Sequence, residues 1–339
     1  MKGRLTTVAL AIVFAATAAT AQAGDGQQWS GHRITVESRN LFVGFDAGAA
    51  LVGAITPAQA WTTLLASDPA GRAESWADEI AAARPDVVGL QEAMLFRTGP
   101  ILNPAPAQTV AFDFVDLLLD ALAARGLSYE AVAMIENLDV EVPVFAPPAF
   151  VFDARVTDRD VMLVRSDPQM GILKTSGAAA ANFATMVPPV GGVPVERGWT
   201  AVDLTLHGRT VRVVNTHLEA FSPLVAAGQA LELLAGPAAG PGPTILLGDF
   251  NAEPGEPAYA VLAGAGYADV WPAVGAGPGL TCCHDDLTPA IPYDERIDLV
   301  FVRGGISPVS ADVIGDEAAA GFPFFPSDHA GVVATVEID

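Results

Sequence analysis

Lysine is nearly missing from this chain. It occurs only at positions 2 and 174, and Lys and Arg together number 17 against 39 Asp and Glu, a net charge of −22. No basic stripe of the kind that tracks a phosphate backbone is present. So acidic a surface repels phosphate polymers unless cations intervene, and tight nucleic-acid binding is not expected. Cysteine is equally scarce: Cys282 and Cys283 are the only two, and they are adjacent. A chain this long can fold on its apolar core without a disulfide framework. No GxSxG or comparable Ser or Cys nucleophile motif occurs, which favours direct hydrolysis over a covalent intermediate. Internal repeats and charged or Ser/Gly-rich linkers are also missing, so one large domain is expected.

The first 23 residues read as a secretory signal peptide. Lys2 and Arg4 are followed by the apolar run Val8 to Ala18 and by Ala21-Gln22-Ala23, a small-residue cleavage pattern. The run is too short to span a bilayer, and no later stretch looks transmembrane. The expected mature chain, 24–339, carries −24, because the signal holds two basic residues and no acid. A secreted or periplasmic location follows.

Apolar runs that end in polar residues dominate the remainder. Ile245-Leu246-Leu247 reads as a buried strand ended by Gly248, with Asp249 and Asn251 one residue apart around Phe250. Alternation puts i and i+2 on one side, so a carboxylate and a carboxamide can point together into a site while Phe250 packs the other way. The alternative is a turn closed by Asp and Asn on their own backbone. His32–Asn40 alternates as a strand ending in Asn40. Asp86–Leu90 runs into Gln91 and Glu92, where open α/β sheets place ligands; a helix-start acid is the other reading of Glu92. The strands 199–206 and 210–215 form a hairpin that delivers His217. Strand 297–302 carries Asp298 inside an apolar run, and a buried carboxylate costs several kcal/mol unless paired. Asp298 therefore needs a partner. Ser327-Asp328-His329 precedes a last strand, 331–338. Helices are expected over 59–65, 71–83, 112–125, 224–234 and 257–262, and further strands over 129–135 and 159–165.

Asn40, Glu92, His217, Asp249 with Asn251, and Asp328 with His329 thus sit at five separate strand ends. Gathered together they make a set of carboxylates, imidazoles and carboxamides suited to metal-assisted attack of water on phosphorus.

The ordered series RNLFVG (39–44), LQE (90–92), NTHL (215–218), GDFN (248–251), RIDLVFV (296–302) and SDH (327–329) resembles the endonuclease/exonuclease/phosphatase superfamily. That group includes deoxyribonuclease I, abasic-site endonucleases, bacterial sphingomyelinases and inositol polyphosphate 5-phosphatases. The resemblance implies a four-layer α/β sandwich, two mostly antiparallel sheets packed face to face with helices outside. It implies that Glu92 ligates Mg2+ (or Mn2+) with Asn40 and Asp328 beside it. It implies that Asp249 orients the attacking water or binds metal, and that Asn251 holds a phosphate oxygen. Asp298 would pair with His329, which would act as base or phosphate ligand, and His217 as acid or transition-state stabiliser. One position departs from the pattern: abasic-site endonucleases carry Asp where this chain has Phe42. A phosphoester hydrolase acting as a monomer is expected, with a non-catalytic binding module of the same fold as the rival reading.

Two local features stand apart. Adjacent Cα atoms lie about 3.8 Å apart across a trans peptide, short of the usual disulfide span of about 4.4–6.8 Å. Cys282 and Cys283 therefore read as a vicinal disulfide, as two loop thiols, or, with His284, Asp285 and Asp286, as a soft-metal site. The charge-free segments Val142 to Phe152 and Phe322 to Pro326 read as apolar loops. Either they pack into the core or Phe145, Phe150, Phe324 and Phe325 form a rim for the apolar part of a substrate or for a neutral lipid surface, as a sphingomyelinase-like enzyme would require.

Overall fold

The computed structural model describes residues 33–166, 174–206, 208–284, 287, 292–318 and 324–339. The expected signal peptide, His32, Asp285, Asp286, Phe322 and Pro323 lie outside the described residues. Gly31–Asp339 forms one unit.

Two sheets form the centre. The first orders β13 (Ile306–Ile314), β14 (Gly331–Ile338), β1 (Arg33–Asn40), β2 (Val87–Gln91), β6 (Phe150–Arg165), β3 (Leu95–Gly99) and β4 (Thr109–Asp113), with β5 (Tyr129–Ala146) paired to β6. The second orders β11 (Ala268–Asp269), β12 (Asp298–Arg303), β10 (Thr244–Asp249), β9 (Arg209–His217), β8 (Gly198–Leu206) and β7 (Lys174–Asn182). The β1–β2 and β9–β10 pairs are parallel and the other pairs antiparallel. Alternating apolar residues explain the stacking. Val36, Val87 and Met162 of the first sheet share a buried cluster with Val213, Leu247 and Val300 of the second. The opposite face of the first sheet packs on α2 (Pro57–Ala66), α3 (Pro69–Ala83) and α4 (Phe114–Ala124) through Leu64, Trp76 and Leu118. The opposite face of the second sheet packs on α5 (Pro223–Ala235) and α6 (Pro257–Gly264) through Leu233 and Leu262. The result is the four-layer α/β sandwich, helix–sheet–sheet–helix.

Gly89 lets the two sheets meet closely. A side chain there would collide with Leu247 and with Asn215. Asn215 uses the space, donating to the Leu90 carbonyl at 3.1 Å and accepting from Gln91 Nε2 at 2.6 Å. The polar end of β2 is thus tied to the polar end of β9.

Several elements differ from the sequence expectation, each for a physical reason. Helices α2, α3 and α5 begin two, two and one residues earlier than read, because Pro57, Pro69 and Pro223 sit inside the first turn behind the side-chain caps Thr56, Asp68 and Ser222. The residues before Phe114 form β4 rather than helix. Val142 to Phe152 is not a loop. It is the distal end of a long β5–β6 hairpin, in which Pro143 stands opposite Asp153. Beyond β6, β5 has no further paired strand among the described residues, and an edge strand tolerates proline.

Candidate active site

The motif-bearing strand ends converge because β1 runs parallel to β2, and β9 parallel to β10, so their carboxyl ends lie side by side. In register, Asn40 is opposite Gln91, and Asp249 is opposite both His217 and Asp298. Asp249 is the hub. Its Oδ2 accepts from Asn40 Nδ2 at 3.1 Å, lies 3.4 Å from His217 Nε2 and 3.8 Å from His329 Nε2. Phe250 points away and is fully buried against Phe301.

His329 is held from behind: its Nδ1 lies 2.8 Å from Asp298 Oδ2. With that nitrogen committed to the carboxylate, Nε2 is the one that faces the site. Asp298 is completely enclosed on β12, where Thr281 Oγ1 accepts from its backbone N–H at 3.2 Å. Glu92 directly follows β2, in the left-handed region at φ +52°. Its Oε2 accepts from the Val43 N–H at 2.7 Å, and its Oε1 lies 3.4 Å from Asn40 Nδ2. Asn251 closes the turn of the GDFN segment on Asp249. Its N–H donates to Asp249 Oδ1 at 3.0 Å, an Asx-type turn, while its Nδ2 donates to the Leu218 carbonyl at 2.9 Å. Asp328 is half-buried and accepts from Ser327 Oγ at 3.3 Å.

Burial controls the charges. It pushes Asp249 up to about 7, with Asp298 adding to the rise and His329 opposing it. Burial likewise raises Asp328 to about 7, against the pull of His329. Burial alone would lower His329, but Asp298, Asp249 and Asp328 around it raise it well above an ordinary imidazole. His217 goes the other way: burial lowers it strongly, and Arg197 and His329 add to the fall.

Glu92, Asp249 and Asp328 offer hard carboxylate oxygens, the kind that suits Mg2+ or Mn2+, while Asn40 turns its Nδ2 to Glu92 and Asp249 and its Oδ1 to the Phe42 N–H. Asp249, Asp298 and His329 also lie close enough together to share an ion. The residues present therefore fit a hard divalent metal.

A family model described as the endonuclease/exonuclease/phosphatase family matches residues 60–329. The chain belongs to this family. Its members typically hydrolyse phosphoesters. An endonuclease/exonuclease/phosphatase family protein from Bacteroides thetaiotaomicron is similar at a TM-score of 0.58 and 16% identity, covering 92% of this chain and 100% of that one. A similar enzyme fold occurs in D. rerio TDP2 complexed with single strand DNA product, at TM-score 0.54, 19% identity and coverage of 90% and 99%. The endonuclease/exonuclease/phosphatase from Beutenbergia cavernae gives TM-score 0.54, 22% identity and coverage of 91% and 72%. At these identities the likeness is one of fold. No curated protein matches the chain in sequence.

Several residues at the endonuclease/exonuclease/phosphatase site escaped the sequence reading. Arg197 lies 3.1 Å from His217 Nδ1 and shares the interior with Asp158 and Asp160. Burial raises Asp158 to about 6 and Asp160 well above its usual value. Arg72 is fully buried, and its guanidinium donates to the carbonyls of Leu41, Phe42 (2.6 Å) and Pro326 (2.9 Å), joining the Asn40 loop to the Asp328 loop. Arg39 donates to the His329 carbonyl and pairs with Glu79 at 3.0 Å. For Arg39 the only signal was its place beside Asn40; Arg72 lies near the start of α3 and carried none.

Cys282 and Cys283 are bonded as a vicinal disulfide. Their sulfurs lie 3.4 and 3.9 Å from His329 Nε2. The four-phenylalanine rim does not assemble. Phe325 is buried, stacked on His284 at 4.2 Å between centroids. Phe150 is half-buried against the core, and Phe145 stands exposed at the hairpin end.

Proposed function

We propose that the protein is a secreted Mg2+-dependent phosphoester hydrolase that drives water directly onto phosphorus. One observation carries this reading: a single carboxylate oxygen, Asp249 Oδ2, is shared by Asn40, His217 and His329, with Asp298 behind His329. A group so placed can hold and deprotonate a water while flanking imidazoles contact the phosphoryl oxygens. Glu92, Asn40 and Asp328 would hold the metal. When bound, the ion would neutralise charge on the transferring phosphoryl group and on the leaving oxygen. Asp298, at Nδ1, holds the His329 ring so that Nε2 faces the substrate. His217, kept neutral by burial, can donate a hydrogen bond to the leaving group or the developing charge. Asn251 retains one amide hydrogen for a phosphate oxygen. The secreted location rests on the N-terminal sequence alone.

The net charge of −22 weighs against a tight polyanion substrate and in favour of a small or neutral-bodied phosphoester. Hydrolysis of bis-p-nitrophenyl phosphate, with EDTA and then with Mg2+ restored, is the test. Turnover that EDTA leaves untouched would refute the metal mechanism. A folded preparation inert on a broad phosphoester panel would leave the rival reading, a binding module that keeps the fold.

A further inference from the structure

A cavity of about 230 Å³ opens beside the site, between the β5–β6 hairpin and the helices α1 (Ala47–Leu51) and α2. Its polar lining side chains are Glu92, Asp158 and Arg197; every other lining residue is apolar. The register orders the wall. Leu138 stands opposite Asp158, then Val140 opposite Val156, Val142 opposite Ala154 and Val144 opposite Phe152. Residues at i, i+2, i+4 and i+6 share a face, so Leu138, Val140, Val142 and Val144 line a trough roughly 20 Å long at about 3.3 Å per residue. It starts at the Asp158 end, where Glu92 approaches Asn40 and Arg197 touches His217. Trp61 and Leu51 contribute to the opposite wall, and the small residues Ala47, Gly48 and Ala50 leave the space open. The reverse face of β5 is spent on a charge network in which Asp139 binds Arg155 and Thr157.

We propose that this trough holds the unbranched hydrocarbon arm of the substrate, making the enzyme selective for phosphoesters with one alkyl or acyl substituent. The inference rests on the phosphoester-hydrolase reading for the identity of the reacting group. A nucleobase or sugar would bring hydrogen-bonding edges to a wall whose side chains cannot satisfy them, and burying those edges unpaired is costly. A hydrocarbon chain loses nothing there and leaves water. Interiors are normally packed without such voids, so an apolar trough opening at the catalytic residues is suited to being filled by a ligand. The apolar-substrate expectation thus moves from the phenylalanine loops to the inward face of the hairpin.

The experiment compares p-nitrophenyl methyl, butyl and octyl phosphates, below their micelle concentrations and with Mg2+. Each added methylene should raise kcat/KM about fourfold until the trough is full. A flat series overturns the proposal, as does a p-nitrophenyl nucleoside phosphate outperforming the octyl ester. Val142→Trp, which fills the trough, should collapse the octyl-to-methyl ratio towards unity, and an unchanged ratio in the folded variant overturns the proposal. Leu51→Trp, from the other wall, is the second variant should Val142→Trp not fold. A readout without turnover uses 8-bromooctylphosphonate, whose bromine should quench Trp61 fluorescence saturably in the wild type and not in Trp61→Phe. Quenching with no hydrolysis of any ester would overturn the proposed function and keep the trough. Methyl-ester hydrolysis with neither quenching nor chain-length dependence would do the reverse.

Discussion

His329 is clamped between two carboxylates, with Asp298 Oδ2 2.8 Å from Nδ1 and Asp249 Oδ2 3.8 Å from Nε2. One acid holds the ring at Nδ1 and the other faces Nε2. Asp298→Asn keeps the shape but replaces the carboxylate beside Nδ1 with an amide that can turn its NH2 towards that nitrogen and release the orientation of the ring. Turnover should fall about 10²–10⁴-fold with circular dichroism unchanged. A loss smaller than about threefold, against that range, would remove Asp298 from the mechanism.

Asp249→Ala and His329→Ala should each cost about 10²–10⁴-fold in kcat, and the double variant little more than the worse single one, because both act on one reacting group. Additive losses, measured on the same diester, would mean that the two residues work independently.

Much of this candidate site was legible because its residues stand at the ends of strand patterns, alternating in β1 and β9 and continuously apolar in β2 and β10, that stop at Asn40, Glu92, His217 or Asp249. The fold's periphery was harder. β7 spells KTSGAAAAN, without β-branched residues beyond one Thr, and β13 is interrupted by Pro308. Both lie at sheet edges, where pairing and packing rather than propensity make the strand. The buried charges Glu37, Arg39 and Arg72 were invisible for a different reason. Charged residues read as solvent-facing, and only the tertiary structure reveals that Arg72 binds loops from opposite ends of the chain.

Arg72 makes a prediction of its own. Its flat guanidinium reaches Ser67, Leu41, Phe42 and Pro326 at once, and a lysine ammonium cannot span them. Arg72→Lys should lower stability by about 2–4 kcal/mol, since buried carbonyls lose charged donors, and should also weaken activation by Mg2+ because Asn40 and Asp328 lose their common brace. Denaturant unfolding and a Mg2+ titration of the rate check the two halves separately.

Glu37 predicts how stability depends on pH. It is fully buried on β1, near Arg39, whose ion pair is made with Glu79. Burial raises it to about 8 from 4.5, Glu79 adds to the rise and Arg39 opposes it. The folded state therefore holds a proton that the unfolded chain releases. The sign is fixed by linkage: the contribution is complete below about pH 4.5 and is lost as pH rises through about 8. The unfolding temperature should fall over that interval, and Glu37→Gln, neutral at every pH, should flatten part of the fall. An identical pH dependence in the variant would show that Glu37 ionises freely in the folded protein.

The disulfide offers the last test, because both its sulfurs lie near His329. Cys282 is fully buried and Cys283 exposed, yet both sulfurs approach His329 Nε2. Denatured, unreduced protein should show no free thiol, and two thiols would eliminate the bond. After gentle reduction of the native protein, an alkylating reagent should label Cys283 well before Cys282, since access limits the reaction. A maleimide adduct on Cys283, beside the nitrogen that faces the substrate, should then slow diester hydrolysis tenfold or more on the scale of about 10²–10⁴-fold for losing a positioned acid or base. Protein reduced but not alkylated should keep most of its rate, because the thiols leave the His329–Asp298 contact in place. If the adduct forms in full and the rate is unaffected, then His329 Nε2 does not face the substrate, and its assignment to the reacting centre is wrong.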